Sequence, residues 1–112
     1  MLQALVAILA ISILVAMSLR ADRAFGNHAR LPMQWSLAGS VNWTAPRGIA
    51  LAFTPVLATV SLAVIVTLTL MLEPRAGQEG FEVPTILTLG STFIAVHALH
   101  LWLIGKSLRR DG

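Results

Sequence analysis

Residues 48–72 read GIALAFTPVLATVSLAVIVTLTLML, which is 25 consecutive positions without a charged side chain. A helix needs about 20 apolar residues to cross the hydrocarbon core of a bilayer. Two other stretches, residues 1–19 and 83–105, also lack charged side chains. The sequence therefore predicts an all-α integral membrane protein that forms a single domain over residues 1–112. We expect its three transmembrane helices at about 2–19, 48–72 and 84–105.

The composition agrees with a membrane location, since 56% of the 112 residues are hydrophobic and only 12% are charged. These values exclude a disordered chain and a soluble enzyme of the Rossmann or barrel type. Cysteine is absent, which excludes disulfides, thiolate metal sites, cysteine nucleophiles and covalent c-type haem attachment. The first span follows uncharged residues instead of a basic leader, so we expect it to be retained as an anchor and not cleaved as a signal peptide.

The basic residues lie unevenly on the two sides of the predicted spans. Of the eight Lys and Arg residues, only Arg75 lies between the second and third spans. The other seven are Arg20, Arg23, Arg30, Arg47, Lys106, Arg109 and Arg110. The positive-inside rule then places residues 20–47 and the C-terminal tail in the cytoplasm, with the N-terminus outside a bacterial inner membrane. Because these charges flank spans instead of covering a soluble surface, we expect no nucleic-acid partner.

Two features of the spans predict how the helices pack. Pro55 lies inside the second span and frees the carbonyl of Leu51, which we expect Thr54 or a neighbouring helix to satisfy. Small residues that permit close helix approach recur in each span. They are Ser12 and Ala16, then Thr59, Ala63 and Thr67, then Thr88, Thr92 and Ala95. The spans therefore predict a compact three-helix bundle, joined on one side by an ordinary turn over residues 73–82.

The first connection, residues 20–47, is long for so small a protein, and its apolar content favours a folded or interfacial loop over disorder. Pro32 restricts the backbone, and Gly39 permits the positive φ of a tight turn. Trp35 and Trp43 are suited to the headgroup level of the membrane. We interpret the loop as a re-entrant or interfacial hairpin. It is either a folded cap with tryptophan anchors or a surface for a ligand or partner.

Within this loop, residues 31–47 read LPMQWSLAGSVNWTAPR. This stretch resembles a small membrane domain of unknown function that also occurs at the N-terminus of SdpI-type immunity membrane proteins. The matching positions are Leu31, Pro32, Trp35, Gly39, Trp43 and Pro46. Gln34 and Ser36 stand where the pattern has His and Asn, and Asn42 lies near its Asp. The resemblance covers about residues 2–72. Any metal or proton chemistry that His and Asp support in relatives is absent at Gln34 and Asn42.

His97 and His100 lie three residues apart in the third span and therefore on one helix face. Ionisable residues at such a depth usually face the protein interior. A metal site, an axial haem ligand or a proton relay would use them functionally. Alternatively, the neutral imidazoles form structural hydrogen bonds to Gln34, Asn42, a threonine hydroxyl or the freed Leu51 carbonyl.

No catalytic constellation is present in the sequence, so we expect a protein that is not an enzyme. The leading hypothesis is an accessory or binding module that uses the loop over residues 20–47. Its partners would be the lipid bilayer and another membrane protein or a second copy of the chain, and it would need no cofactor. The alternatives are haem or metal binding by His97 and His100, and immunity-like protection against a membrane-active toxin. The candidate loop residues are Leu31, Pro32, Gln34, Trp35, Gly39, Asn42, Trp43, Pro46 and Arg47.

Overall fold

A computed structural model describes residues 2–72 and 80–111 of the chain. Three helices, α1 (Leu2–Ala24), α2 (Arg47–Met71) and α3 (Glu82–Asp111), are long and apolar enough to cross a membrane. Between the first two helices lie two strands, β1 (Arg30–Trp35) and β2 (Val41–Pro46). The prediction of three helices that are long and apolar enough to span a membrane is confirmed. The turn expected over residues 73–82 lies largely outside the described residues.

The connection between α1 and α2 is an antiparallel β-hairpin, so the all-α class is incomplete. The observed connection is also shorter than the predicted loop over 20–47, because α1 continues to Ala24 and α2 begins at Arg47. Two irregularities interrupt the strand pairing. Pro32 pairs with Thr44, Gln34 with Trp43, and Trp35 with Val41. One residue on each strand therefore has no opposite partner, and such bulges bend and twist a hairpin.

The helices pack through two apolar clusters. One, at the N-terminal end of α1, contains Ala7, Ala10, Leu62 and Ile86. The other lies beneath the hairpin and combines all three helices with both strands. Its buried members are Ala21, Leu31, Ala45, Ala50, Leu51 and Ile104. The hairpin is therefore part of the packed structure at the end of the bundle where α1 ends and α2 begins.

The small residues predicted to form the helix interfaces do not form them. Ser12, Thr59 and Thr92 are exposed, and each hydroxyl donates to a carbonyl four residues earlier in its own helix. The close approach instead occurs between Ala10 and Gly90, where a Cβ added to the glycine would lie 3.0 Å from the alanine Cβ. A serine or threonine in a span can satisfy its hydroxyl locally, and its presence therefore does not identify an interface.

The third helix is longer than the predicted span. It contains 30 residues and is therefore roughly 45 Å long, whereas the hydrocarbon core is about 30 Å thick. The predicted end at residue 105 falls six residues before the helix stops. The additional turns provide the surface against which the hairpin lies.

Candidate functional site

The candidate site is the hairpin together with the face of α3 that holds it. The turn between the strands is closed by backbone hydrogen bonds from Gly39 to Ser36 and from Ser36 to Ser40. Gly39 has φ +88, a left-handed conformation that costs little only for glycine. The positive φ predicted from the sequence is confirmed. It places Leu37 at the tip of the turn, where its side chain is fully exposed.

Three polar residues of α3 hold successive parts of the hairpin, and we call them the hairpin-binding face: His100, Ser107 and Arg110. The His100 ring contacts the ring of Trp35. The indole N–H of Trp35 donates to the Ser107 hydroxyl over 2.7 Å, and Arg110 donates to the Gly39 carbonyl over 2.9 Å. Spacings of seven and three residues keep these side chains on one face of a helix. The hairpin is therefore attached to α3 at the end of β1 and at the turn.

Trp35 makes two different contacts with this face. Besides its bond to Ser107, its ring lies edge-on to His100, with centroids 5.7 Å apart and an interplanar angle of 79°. Edge-to-face contact is a preferred aromatic geometry. Trp35 therefore positions the hairpin against α3 and does more than anchor the loop at the membrane surface.

The other side of the hairpin faces away from the bundle. Cross-strand partners Leu31 and Ala45 are both buried, whereas partners Gln34 and Trp43 are both exposed. The Trp43 indole N–H donates to the Gln34 side-chain oxygen over 3.0 Å, and 51% of Trp43 is exposed. Successive strand residues alternate between faces, which explains how one hairpin has a packed inner face and an exposed outer face.

Arg47 fixes the base of the hairpin to α1. Its Nε forms a salt bridge with Asp22 at 2.8 Å, and its Nη1 donates to the carbonyls of Gly26 and His28. Its backbone N–H donates to Ala29. Guanidinium groups are suited to such multiple, oriented contacts. The residue that begins α2 thus also determines how the chain leaves α1.

The second histidine lies deeper and joins all three helices. His97 is completely buried, and its Nε2 lies 2.8 Å from the Ser18 hydroxyl oxygen. The Ser18 hydroxyl also lies 2.7 Å from the Leu51 carbonyl oxygen, to which it donates. This is the carbonyl that Pro55 leaves without a helical donor. The prediction that a neighbouring helix satisfies it is confirmed, and Ser18 rather than Thr54 supplies the donor.

Each histidine retains one buried ring nitrogen without a hydrogen-bond partner among the described residues. These are Nδ1 of His97 and Nε2 of His100. The side-chain amides expected from the sequence to bond these histidines have other surroundings. Gln34 accepts a hydrogen bond from Trp43, and Asn42 lies exposed on β2. Within the described ranges, no group of three or more His, Cys, Asp or Glu side chains could hold a metal ion.

The structure brings most of the predicted loop residues into one assembly. Leu31 and Trp35 pack against the bundle, and Pro32 is buried. Gly39 contacts Arg110, and Pro46 precedes the first residue of α2. Sequence reasoning missed Ser107 and Arg110 as partners of the loop, and Ser18 as the partner of Leu51 and His97. The signal available for Ser107 and Arg110 was their helical spacing from His100. Ser18 carried the signal of a hydroxyl inside an otherwise apolar span.

Comparison with known protein families, with curated proteins and with solved structures gave no match to this chain. The resemblance of residues 31–47 to the SdpI-type membrane domain therefore stays a prediction.

Proposed function

We propose that the protein is a membrane-embedded binding module that presents the outer face of its hairpin to another membrane protein. The observation that supports this is the two-sided hairpin. It is fixed to α3 by contacts with His100, Ser107 and Arg110. Its outer face exposes Trp43 and the tip residue Leu37. Exposed aromatic and apolar groups on a rigid support are typical of binding surfaces.

The attachment of the hairpin matters for this role because a fixed surface loses less conformational entropy when it binds. Polar contacts occur at Trp35 and Gly39, so both the end of β1 and the turn of the hairpin are held. Arg30 also links the strands on the outer side, since its guanidinium donates to the Thr44 hydroxyl and carbonyl. The outer face is therefore ordered before a partner arrives.

Site-specific photocrosslinking in native cells tests this proposal. A photoreactive amino acid is placed separately at positions 37, 43 and 102, and the products are separated by mass. Trp102 is the matched control, because it is exposed to 55% but lies on α3 beneath Lys106 instead of on the hairpin. We expect one discrete protein adduct from positions 37 and 43 and none of the same mass from position 102.

Substitution then tests whether the contact supplies affinity. Trp43→Ala should reduce the recovered adduct at position 37 about tenfold or more, as expected for an aromatic residue central to an interface. Trp102→Ala should leave that adduct unchanged. Adducts with lipid alone at positions 37 and 43 would contradict the proposal and would identify Trp43 as a membrane-interface anchor.

A second candidate function rests on the histidines. Because Ser18 donates its one proton to Leu51, the Nε2–H of His97 donates to Ser18 and its Nδ1 carries a free lone pair. The Nε2 of His100 also has no hydrogen-bond partner among the described residues. Each ring therefore has a nitrogen without a hydrogen-bond partner, and imidazole nitrogens are ligands of transition metals. We propose that His97 and His100 contribute to a metal or haem site completed by water or a second chain.

Metal analysis distinguishes this second function from a purely structural role. The protein purified from its native membrane should carry stoichiometric metal or a visible haem spectrum. Either signal should disappear in His100→Ala and persist in His28→Ala, since His28 lies in the connection before β1. A colourless protein with the same trace metal in all three forms would contradict it.

A further inference from the structure

A cavity of about 250 Å³ lies between α2 and α3, next to the first strand of the hairpin. Phe53 and Thr54 line it from α2, Val96 and His100 line it from α3, and Met33 lines it from β1. Phe53 and Val96 are more than half exposed on the outside of the bundle. In a membrane, the cavity is therefore open to lipid, and a ligand would enter it from the bilayer.

Thr54 contributes a free hydroxyl to this cavity. Its side chain is 6% exposed, yet the hydroxyl forms no hydrogen bond with any described residue. By contrast, the hydroxyls of Thr59 and Thr67 on the same helix donate to carbonyls four residues earlier. The side-chain atoms that are sealed without a partner in the described ranges are two histidine ring nitrogens. The Thr54 oxygen is therefore not sealed, and it reaches the cavity that its side chain lines. Buried hydroxyls normally have a partner, so this one indicates a ligand.

The rest of the lining favours a flat and neutral ligand. Phe53 places a planar ring on the α2 wall, His100 places one on the α3 wall, and Met33 adds a thioether. Aromatic rings and thioethers make favourable contacts with a π system. Among the described residues, no Lys, Arg, Asp or Glu side chain lines the cavity. A charged ligand would therefore be desolvated there without compensation.

The size of the cavity fits one ring better than a whole ligand. Pockets for drug-sized ligands measure about 300–1,000 Å³, and this cavity is smaller and open on its lipid side. A molecule with one ring inside the cavity and a long apolar tail in the bilayer satisfies both conditions. A membrane quinone has these two parts, and its ring carbonyls accept hydrogen bonds from donors such as the Thr54 hydroxyl.

We infer that this cavity binds the ring of a membrane quinone. One ring carbonyl accepts a hydrogen bond from the Thr54 hydroxyl, and the tail extends between α2 and α3 into the bilayer. The inference rests on neither proposed function, because Thr54 belongs neither to the outer face of the hairpin nor to the histidines that would bind metal.

Quenching of Trp35 fluorescence tests the inference. Quinones quench tryptophan at short range, and the Trp35 ring centroid lies 5.7 Å from that of His100 in the cavity wall. The full chain carries Trp43→Phe and Trp102→Phe, so that Trp35 is its only tryptophan. It is stripped of metal with a chelator and titrated in mild detergent with decylubiquinone. We expect saturable quenching at one quinone per chain, which excess dodecanol, a tail without a ring, does not reverse. Quenching that does not saturate, or that dodecanol reverses, would overturn the inference.

Two substitutions in this background locate the bound ring. Thr54→Val keeps the shape of the side chain and removes the donor, so the affinity should fall about fivefold, as expected for one hydrogen bond. Thr67→Val is the matched control, because the Thr67 hydroxyl bonds within its own helix, and it should bind as the parent does. Unchanged affinity in Thr54→Val would overturn the assignment of the carbonyl to this hydroxyl.

Val96→Phe fills the cavity and should weaken binding about tenfold or more. Val64→Phe should leave binding unchanged, because Val64 is exposed to the same 52% but lies on α2 outside the cavity. Helicity is measured for all four variants, so that a fold defect is recognised as such. Unchanged affinity in a folded Val96→Phe protein would overturn the inference, whatever the outcome of the crosslinking and metal experiments.

Discussion

Ser18 uses a single hydroxyl to connect three helices. Its proton goes to the Leu51 carbonyl on α2, and its oxygen accepts from His97 on α3. A hydroxyl has one donor and two acceptor sites, so both contacts can exist together. In a bilayer, no water is available to replace a missing partner for the carbonyl that Pro55 exposes. Ser18 on α1 therefore supplies the Leu51 carbonyl with the hydrogen-bond donor that Pro55 does not provide.

We predict that Ser18→Ala destabilises the bundle by about 1 kcal/mol, which is typical of hydrogen bonds between membrane helices. The substitution removes the donor to the Leu51 carbonyl and the acceptor for His97 Nε2–H. The measurement is the free energy of unfolding in mixed micelles, followed by helicity. Ser12→Ala is the control, because the Ser12 hydroxyl donates only to Ile8 in its own helix and its loss should change stability by less than about 0.5 kcal/mol. Equal effects of the two substitutions would contradict the role of Ser18.

At the scale of elements, the hairpin was predictable in position but its strand pairing was less so. Pro32, Gly39 and the two tryptophans indicated a folded turn within the loop. The strand sequences show no clear alternation of apolar and polar residues. The pairing shifts between Pro32 and Gln34 and again between Gln34 and Trp35, and these bulges disturb the two-residue period. The partners on α3 lie about 70 residues away in sequence. Contacts of that separation are not visible in a single sequence without knowledge of which helix faces the loop.

We predict that Ser107→Ala loosens the hairpin without unfolding the bundle. Removing the partner of Trp35 Nε1 costs about 1 kcal/mol, which raises the population of the detached hairpin about fivefold. Since the chain has no cysteine, a single Ala45→Cys reports this opening, because residue 45 is buried on the inner face of the hairpin. Its maleimide labelling rate should rise about fivefold in the Ser107→Ala background and stay unchanged with Ser91→Ala, an exposed serine of α3. No change in the Ser107→Ala background would show that this bond does not hold the hairpin.

At the scale of the whole molecule, the distribution of basic residues along the sequence agrees with the way the hairpin packs on the helices. Charge-free stretches predicted the three spans, since composition alone determines whether a helix can enter a bilayer. The helix faces were not predictable in the same way, because serines and threonines on lipid-facing surfaces satisfy themselves within their own helices. Contacts from Trp35 and Gly39 to the last turns of α3 place the hairpin and the C-terminal tail at one end of the bundle. The described basic residues of both segments are therefore at that end.

The resulting orientation leads to our last prediction, which uses two single-cysteine variants at opposite ends of the bundle. Leu37→Cys lies at the fully exposed hairpin tip, and Phe81→Cys lies exposed just before α3. By the positive-inside rule, we expect the end with the hairpin to face the cytoplasm. A membrane-impermeant maleimide added to intact cells should label position 81 and leave position 37 unmodified, and inside-out vesicles should show the reverse. Both positions should react in detergent, which controls for accessibility. Labelling of position 37 alone in intact cells would invert the orientation. Labelling of both positions from one side would contradict the three-span arrangement, because three crossings require the hairpin tip and the start of α3 to lie on opposite sides.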